Sequence, residues 1–337
     1  MLIVFFLSGC LLSGKQDGGV YKAVDGGAIF KQKAVIDEKK SISRDDILDI
    51  EIDPDNENVV YIGTERSGLL RTTNGGDSWV EDVNNFNNVM SIKKIPRSQK
   101  IYIAAKKGAR GKVFKTENSG DNWTEIYTEK IEGSSIGTIA FDYNNPEILY
   151  IGTSKGGILK TENGGETWEA LLWAGSGIRT IVVDHINTSV VYFGTVKSGA
   201  LVSKNAGRDF VKIKKSGQVF NIVTHPNKEG FVYLSNKEGL LESNNYGETW
   251  KVINTLVKPE EVASRGLAIN PIKSNEIYYT SGRAFYKSID SGKTWQPVQF
   301  DISRAIREIE IDVHNSNVIY LGTASSSSLS SFKLFPI

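Results

Sequence analysis

The chain has 337 residues, with 40 Lys+Arg against 39 Asp+Glu for a net charge of +1, 33 glycines and a single cysteine. The charge balance argues against a strongly electrostatic nucleic-acid binder. One cysteine excludes a disulfide framework, and no apolar run approaches the ~18–20 residues that cross a bilayer. His185, His225 and His314 fall in or beside polar turns of separate repeats, which argues against a zinc cluster. No Gly-x-x-x-x-Gly-Lys-Ser/Thr loop occurs. Neither a cofactor, nor a metal, nor a catalytic residue is expected.

The chain opens on apolar residues 2–7, and Leu7-Ser8-Gly9-Cys10 follows. The tetrad resembles the lipobox of bacterial lipoproteins, which implies that Cys10 is lipidated and begins the mature chain. The alternative is an apolar terminus without that processing. Residues 13–19, made of Gly, Ser, Lys, Gln and Asp, read as a tether. Residues 1–18 are thus expected to be signal and tether, and 19–337 a single extracytoplasmic, membrane-anchored domain.

From residue 23 onward an eight-residue phrase recurs. Its clearest copy is Thr72-Thr73-Asn74-Gly75-Gly76-Asp77-Ser78-Trp79; it returns at 116–123, 161–168, 243–250 and 288–295, and more weakly at 23–30 and 203–210. The third positions are Asp25, Asn74, Asn118, Asn163, Asn205, Asn245 and Asp290, and the strong copies close on Trp79, Trp123, Trp168, Trp250 and Trp295. An Asx side chain can bond its own backbone two residues on. Gly76 and its equivalents supply the positive φ of a tight hairpin, and the ring packs beneath the turn. The phrase resembles the Asp box of sialidase-like propellers, where it staples the turn between the third and fourth strands of a blade. A staple, not a catalytic or metal site, is expected.

A Gly/aromatic period of ~40–50 residues marks a β-propeller. Blade one reads as strands at 47–53, 59–64, 69–72 and 79–83. Residues 139–142, 181–184, 267–270 and 309–312 repeat the first strand; 149–153, 191–195 and 319–323 repeat the second. Continuous blades are expected at 44–84, 86–130, 134–174, 176–215, 217–256 and 262–301, with almost no helix. The chain begins with third and fourth strands, 19–35, and ends with first and second strands, 304–323, within a final segment 304–337. Joined, they complete a seventh blade and remove the open sheet edges. The fold class is all-β, a seven-bladed propeller of four-stranded antiparallel blades.

In such a ring the second-to-third loops share one face with the fourth-to-first connections; the boxes and first-to-second turns lie on the other. Each of the six continuous blades carries a cation in its second-to-third loop: Arg66, Lys106 with Lys107 and Arg110, Lys155, Lys197, Lys237 and Arg283. The opposite turns lean acidic, with Asp53, Asp55, Glu57, Asp142, Glu147 and Asp184 among them, which suggests a dipolar molecule. Alignment of the first strands places Arg179, Arg265 and Arg307 in one column near the funnel, with Arg44 and Arg304 just upstream. The planar fork of arginine suits carboxylates. The column is expected to dock an acidic partner segment, with solvation or pairing to Glu261, Asp301 or Glu308 as the alternative.

Lipobox, Asp boxes and closure by both termini together resemble the photosystem II stability/assembly factor-like family, within the wider sialidase and sortilin-like superfamily. The resemblance implies a monomeric, non-enzymatic scaffold that holds a membrane-protein subunit. Two other readings remain. Among glycosidases, a sialidase would carry an Arg-Ile-Pro phrase, whereas the chain has Ile95-Pro96-Arg97, and a Tyr nucleophile with a Glu base. Xyloglucanase-like propellers use two carboxylates between tandem propellers, and this chain has room for one propeller. A sortilin-like ligand receptor shares the boxes but has more blades.

Overall fold

Alternation of apolar and polar residues, broken by Asx-Gly turns, gives each repeat four short antiparallel strands. The computed structural model describes residues 16–214, 217–258 and 264–325, with only the backbone of Ser264 and Arg265. Strands β1 (Val20–Ala23) and β2 (Lys31–Lys33) open the chain. Blade 1 holds β3 (Ile47–Ile52), β4 (Val60–Thr64), β5 (Leu69–Thr72) and β6 (Val80–Glu81). Blade 2 holds β7 (Asn87–Lys94), β8 (Ile101–Lys107), β9 (Arg110–Thr116) and β10 (Thr124–Thr128). Blade 3 holds β11 (Ile136–Phe141), β12 (Leu149–Thr153), β13 (Gly157–Thr161) and β14 (Glu169–Trp173). Blade 4 holds β15 (Ile178–Val183), β16 (Val191–Thr195), β17 (Ala200–Ser203) and β18 (Val211–Lys214). Blade 5 holds β19 (Val219–Thr224), β20 (Val232–Asn236), β21 (Gly239–Ser243) and β22 (Lys251–Ile253). Blade 6 holds β23 (Ser264–Ile269), β24 (Ile277–Ser281), β25 (Ala284–Ser288) and β26 (Gln296–Gln299). β27 (Ala305–Ile311) and β28 (Ile319–Ala324) end the described chain.

Six sheets follow chain order; the seventh runs β2-β1-β28-β27, with Val20–Ala23 paired antiparallel to Ile319–Gly322. The ring is a seven-bladed propeller closed by its two ends, as the missing box and missing strands predicted. The described residues contain no helix. The closing seam is also polar. Asp17 accepts from the backbone N and Oγ of Ser303, Gly18 N donates to Ser43 O, and Thr323 donates to Gly19 O. The supposed tether therefore ends before Gln16: Gln32 donates to the carbonyls of Gln16 and Gly18, which fastens this stretch to the ring. Cys10 lies outside the described residues.

The box is a staple, with a fuller geometry than its sequence suggested. Thr72 Oγ1 donates to Asn74 Oδ1 (2.7 Å) and accepts from Gly76 N (3.0 Å), while Asn74 Oδ1 accepts from Ser78 N (3.0 Å). The Asx side chain thus closes a loop to the residue four ahead, not two. Both central residues take positive φ, even where the first is Ala206 or Tyr246. The strain is held because the N–H of this residue reaches the first-to-second turn of its own blade: Gly75 to Asn58, Ala206 to Ser189, Tyr246 to Gly230. At Gly165 a Cβ would lie 2.4 Å from Ile126 Cδ1 of the preceding blade, so only glycine fits there.

The box tryptophans also join blades. Trp168 Nε1 donates to Ile126 O, Trp250 to Ile213 O and Trp295 to Asn254 O, each on the outer part of the blade before. Each second strand is buried on both faces, as expected of a strand between blades. In two blades the tyrosine of this strand spans the next seam: Tyr150 OH donates to Ala206 O and Tyr320 OH to Gly75 O. Gly152 leaves room for Ile178 of the following blade, whose Cγ2 would be 2.5 Å from a Cβ.

Candidate functional site: the cationic face and the channel

Hydrogen bonds fix which loops share a face. Glu65 N donates to Asp46 O, Ser154 N to Ser135 O, and Val196 N to Gly177 O, so second-to-third loops meet fourth-to-first connections. On this face Arg66, Lys107, Arg110, Lys155, Lys197, Lys237, Arg283 and Arg44 are all exposed. Lys107 lies 5.9 Å from the Phe114 ring, and Arg283 Nη1 donates to Ile302 O.

The arginine column arises from a backbone irregularity. In the first strand of each blade the register slips, as between Ile178↔Thr195 and Thr180↔Gly194, and the skipped residue bulges from the ladder. The skipped residues are Leu48, Gly137, Arg179, Phe220 and Arg307, with wider slips at 88–90 and 265–266. Arg179, Arg265 and Arg307 therefore occupy equivalent backbone positions, and Arg179 and Arg307 line a central channel with a volume of about 410 Å³. The bulge also explains why these strands begin about three residues earlier than the alternation suggested.

Below the arginines the channel carries acids. Asp49, Glu308 and Glu310 line it together with Lys93. Arg307 Nε donates to Glu308 Oε1 at 3.1 Å. Burial pushes Glu308 up to about 7 against the pull of Arg307 and of Arg179. Burial and the neighbouring Glu51 push Asp49 up to about 6, although Lys93 opposes the shift. Glu310 is raised well above the usual carboxylate range by burial and by Glu51. Lys93 pairs with Glu51 at 2.8 Å; burial pulls its pKa down, but Glu51 and Asp49 more than offset this and hold it above its ordinary value.

These acids stitch blades together. Asp49 Oδ2 accepts from Ile92 N (2.6 Å) and Glu51 Oε1 from Lys94 N (2.9 Å), both on the next blade. Sequence reasoning passed over them, although Asp49 and Glu51 stood at channel-facing alternate positions of a first strand. At the box-face mouth Tyr143 and His185 stack with centroids 4.3 Å apart, and burial lowers the His185 pKa.

The structure gives two expected groups a role within the fold. Arg304 is half-buried in the closing seam, bonded to Asp45 O and the Asp46 carboxylate. The acidic turns of the opposite face are largely turn caps. Asp142 accepts from the N–H groups of Asn144 and Asn145, Asp184 from Ile186 and Asn187, and Asp312 from His314 and Asn315. Asp53 and Asp55 contact Lys94, and Glu147 contacts Lys100. Such a residue keeps its charge but is committed to its turn, so it is not a free docking group. Of the column, the Arg265 side chain lies outside the described residues, as does Glu261.

Residues 36–185 match the family model described as Photosynthesis system II assembly factor YCF48, and residues 238–332 match that of Sortilin, neurotensin receptor 3. No protein of curated function matches the sequence. Among solved structures, the chain resembles the GH74 xyloglucanase from Xanthomonas campestris (TM-score 0.71, 16% identity, 83% of this chain and 51% of that one). It also resembles YCF48 from Cyanidioschyzon merolae (TM-score 0.63, 16% identity, 83% and 96%) and YCF48 bound to D1 peptide (TM-score 0.63, 18% identity, 83% and 93%). The chain spans about half the length of the GH74 enzymes it matches. The likeness to photosystem II assembly factor-like propellers is thus one of sequence as well as of fold.

Proposed function

We propose that the protein is a non-catalytic, membrane-anchored assembly scaffold that docks an acidic segment of a membrane-protein partner at the arginine-bearing mouth of its channel. The observation that carries this reading is the shared bulge, which sets arginines at equivalent positions around one mouth inside a ring of exposed cations. A likeness to YCF48, solved with a bound D1 peptide, favours a peptide partner. Single exposed pairs contribute only ~0–1 kcal/mol, so affinity has to come from several cations together and falls with salt.

Replacing Arg179, Arg265 and Arg307 by Ala together with Glu308→Gln, so that no carboxyl is left without its arginine partner, is expected to cut association with membrane proteins about tenfold or more while the melting temperature stays within a few degrees. The control variant replaces Arg208, Lys228 and Lys293, exposed on the box face, and should bind as wild type. Equal binding by both variants would sink the docking site. For the anchor, Cys10→Ser should abolish incorporation of labelled fatty acid and release the protein from salt-washed membranes; equal labelling of the variant and wild type would exclude lipidation at Cys10.

A glycosidase is the second reading, favoured by the xyloglucanase fold and by Glu308 and Asp49 with raised pKa values. A glycosidase acid is likewise a carboxyl of raised pKa. Here, however, Asp49 is held by two backbone N–H groups and Glu308 by Arg307, so neither stands ready to protonate a sugar oxygen. Release of reducing ends from xyloglucan, abolished by Glu308→Gln, would overturn the scaffold reading.

A further inference from the structure

The cationic face carries more than loop lysines. Its connections add exposed Lys130 and Lys258 to Arg44. The acids there are turned inward: Asp45 binds Ser67, Asp46 binds Arg304 and Ser325, and Glu129 accepts from Ile131 N. Those exposed in the loops and connections among the described residues are Asp37, Glu38, Glu132, Glu238 and Asp301; exposed Lys39 and Lys40 adjoin the first two, and Glu238 is held by Lys214.

Large apolar side chains stand out from the same rim. Val83 is 85% exposed, Leu256 59%, Trp173 52% and Ile131 39%. Each lies at or just past the end of a fourth strand. The backbone places them on this face: Asp82 N donates to Leu69 O and Ala174 N to Gly156 O, both at the loop end of a third strand. Trp173 is the one tryptophan outside the boxes, and nothing in the box explains it.

A third observation is where the chain joins the ring. Gln16 and Asp17 are fastened to Ser43 and Ser303, in the connections of this same face. Cys10 and Leu11-Leu12 precede this fastening point in the chain.

We infer that the outer rim of this face seats on an anionic lipid surface, its lysines and arginines against headgroups and Val83, Ile131, Trp173 and Leu256 in the interfacial layer. Basic side chains beside an anionic leaflet each add attraction that decays within a Debye length. Trp at the headgroup level and scattered aliphatics are the usual companions of such a patch. The inference stands apart from the partner-docking reading: it uses the rim and not the channel arginines, and lipid replaces protein as the ligand. Seated this way, the ring presents its channel mouth to the membrane plane.

The test uses the full chain carrying Cys10→Ser, so that no acyl chain contributes, with protein-free vesicles. One set is phosphatidylcholine alone, the other an equimolar mixture with phosphatidylglycerol. The protein should sediment with the mixed vesicles, not with phosphatidylcholine, and lose binding as salt is raised. Replacing Arg66, Lys155, Lys197 and Lys237 by Gln should weaken binding at least about tenfold without moving the thermal transition. Trp173→Ala should weaken it severalfold and abolish a blue shift of tryptophan emission on mixed vesicles. The Arg179/Arg265/Arg307 variant should sediment like the parent, which separates failure here from failure of the docking site. Equal binding to both vesicle types, binding by the four-site variant equal to that of its parent, or binding only when membrane proteins are present would each overturn the inference.

Discussion

Removal of residues 16–35 is expected to abolish cooperative unfolding. β1 lies between β28 and β2, so its loss strips one ladder from Ile319–Gly322 and leaves β28 as an open edge. Tyr21 and Ala23 leave the core they share with Ile319, Leu321 and Phe285. The indole of Trp79 loses its acceptor, the carbonyl of Lys33, and Lys22 no longer reaches Gly75 O. Both neighbouring seams are therefore opened by one deletion. Domains hold only ~5–15 kcal/mol in total, and the loss of a strand with two seams exceeds that reserve. Denaturation followed by circular dichroism should give a broad, sloping transition, and a synthetic peptide of residues 16–35 should restore a sharp one. An unchanged midpoint in the truncated chain would mean that closure adds nothing. A milder probe is Gly18→Val, because a Cβ there would lie 2.2 Å from Arg304 Cδ and 2.5 Å from Ser43 O. It should loosen the seam without removing a strand.

The closure was legible because box and strand patterns are local, and counting them at both ends leaves one blade to complete. The arginine column was legible for a similar reason: Arg179 and Arg307 keep a fixed offset from the Asp that ends each first strand. What alternation hid was the bulge. An extra residue shifts the side-chain parity of all that precedes it, so the strands were read as starting at Ile139 and Ile181 when pairing begins at Ile136 and Ile178. Nor could the sequence tell a cap from a surface charge. Asp142, Asp184 and Asp312 look like an acidic face in composition, yet their oxygens are turned back onto turn N–H groups. Nor could it place Arg304, since only the folded seam sets it against Asp46. The channel acids escaped notice because Glu51, Lys93 and Glu310 come from three blades and converge only in the ring.

That convergence leads to the second large effect. Lys93→Met is expected to cost about 1–3 kcal/mol at neutral pH, less than the ~3–5 kcal/mol of a fully buried pair, because the Lys93 side chain is 28% exposed to the channel. The lysine faces Glu51 at 2.8 Å, and Asp49 and Glu310 hold its pKa up from either side. Without it, Asp49, Glu51 and Glu310 would face one another with no cation between them. The pH dependence follows from the direction of the shifts. Asp49, Glu308 and Glu310 have folded pKa values above their unfolded ones, about 6 for Asp49 and about 7 for Glu308. The native state therefore binds more protons than the unfolded state between roughly pH 4 and pH 7. Stability from these groups is full below their unfolded values and is lost as pH rises through the folded ones. Lys93 is also raised, so its own contribution persists across that window and disappears only in strong alkali. Chemical denaturation should then show the penalty of Lys93→Met shrinking from about pH 8 to about pH 5, where the carboxyls take up protons and no longer need a cation. Glu308→Gln should act oppositely, flattening the decline of the parent between those limits. A penalty independent of pH would mean that Lys93 acts through packing of its stem alone, and that the channel carboxylates are held by solvent.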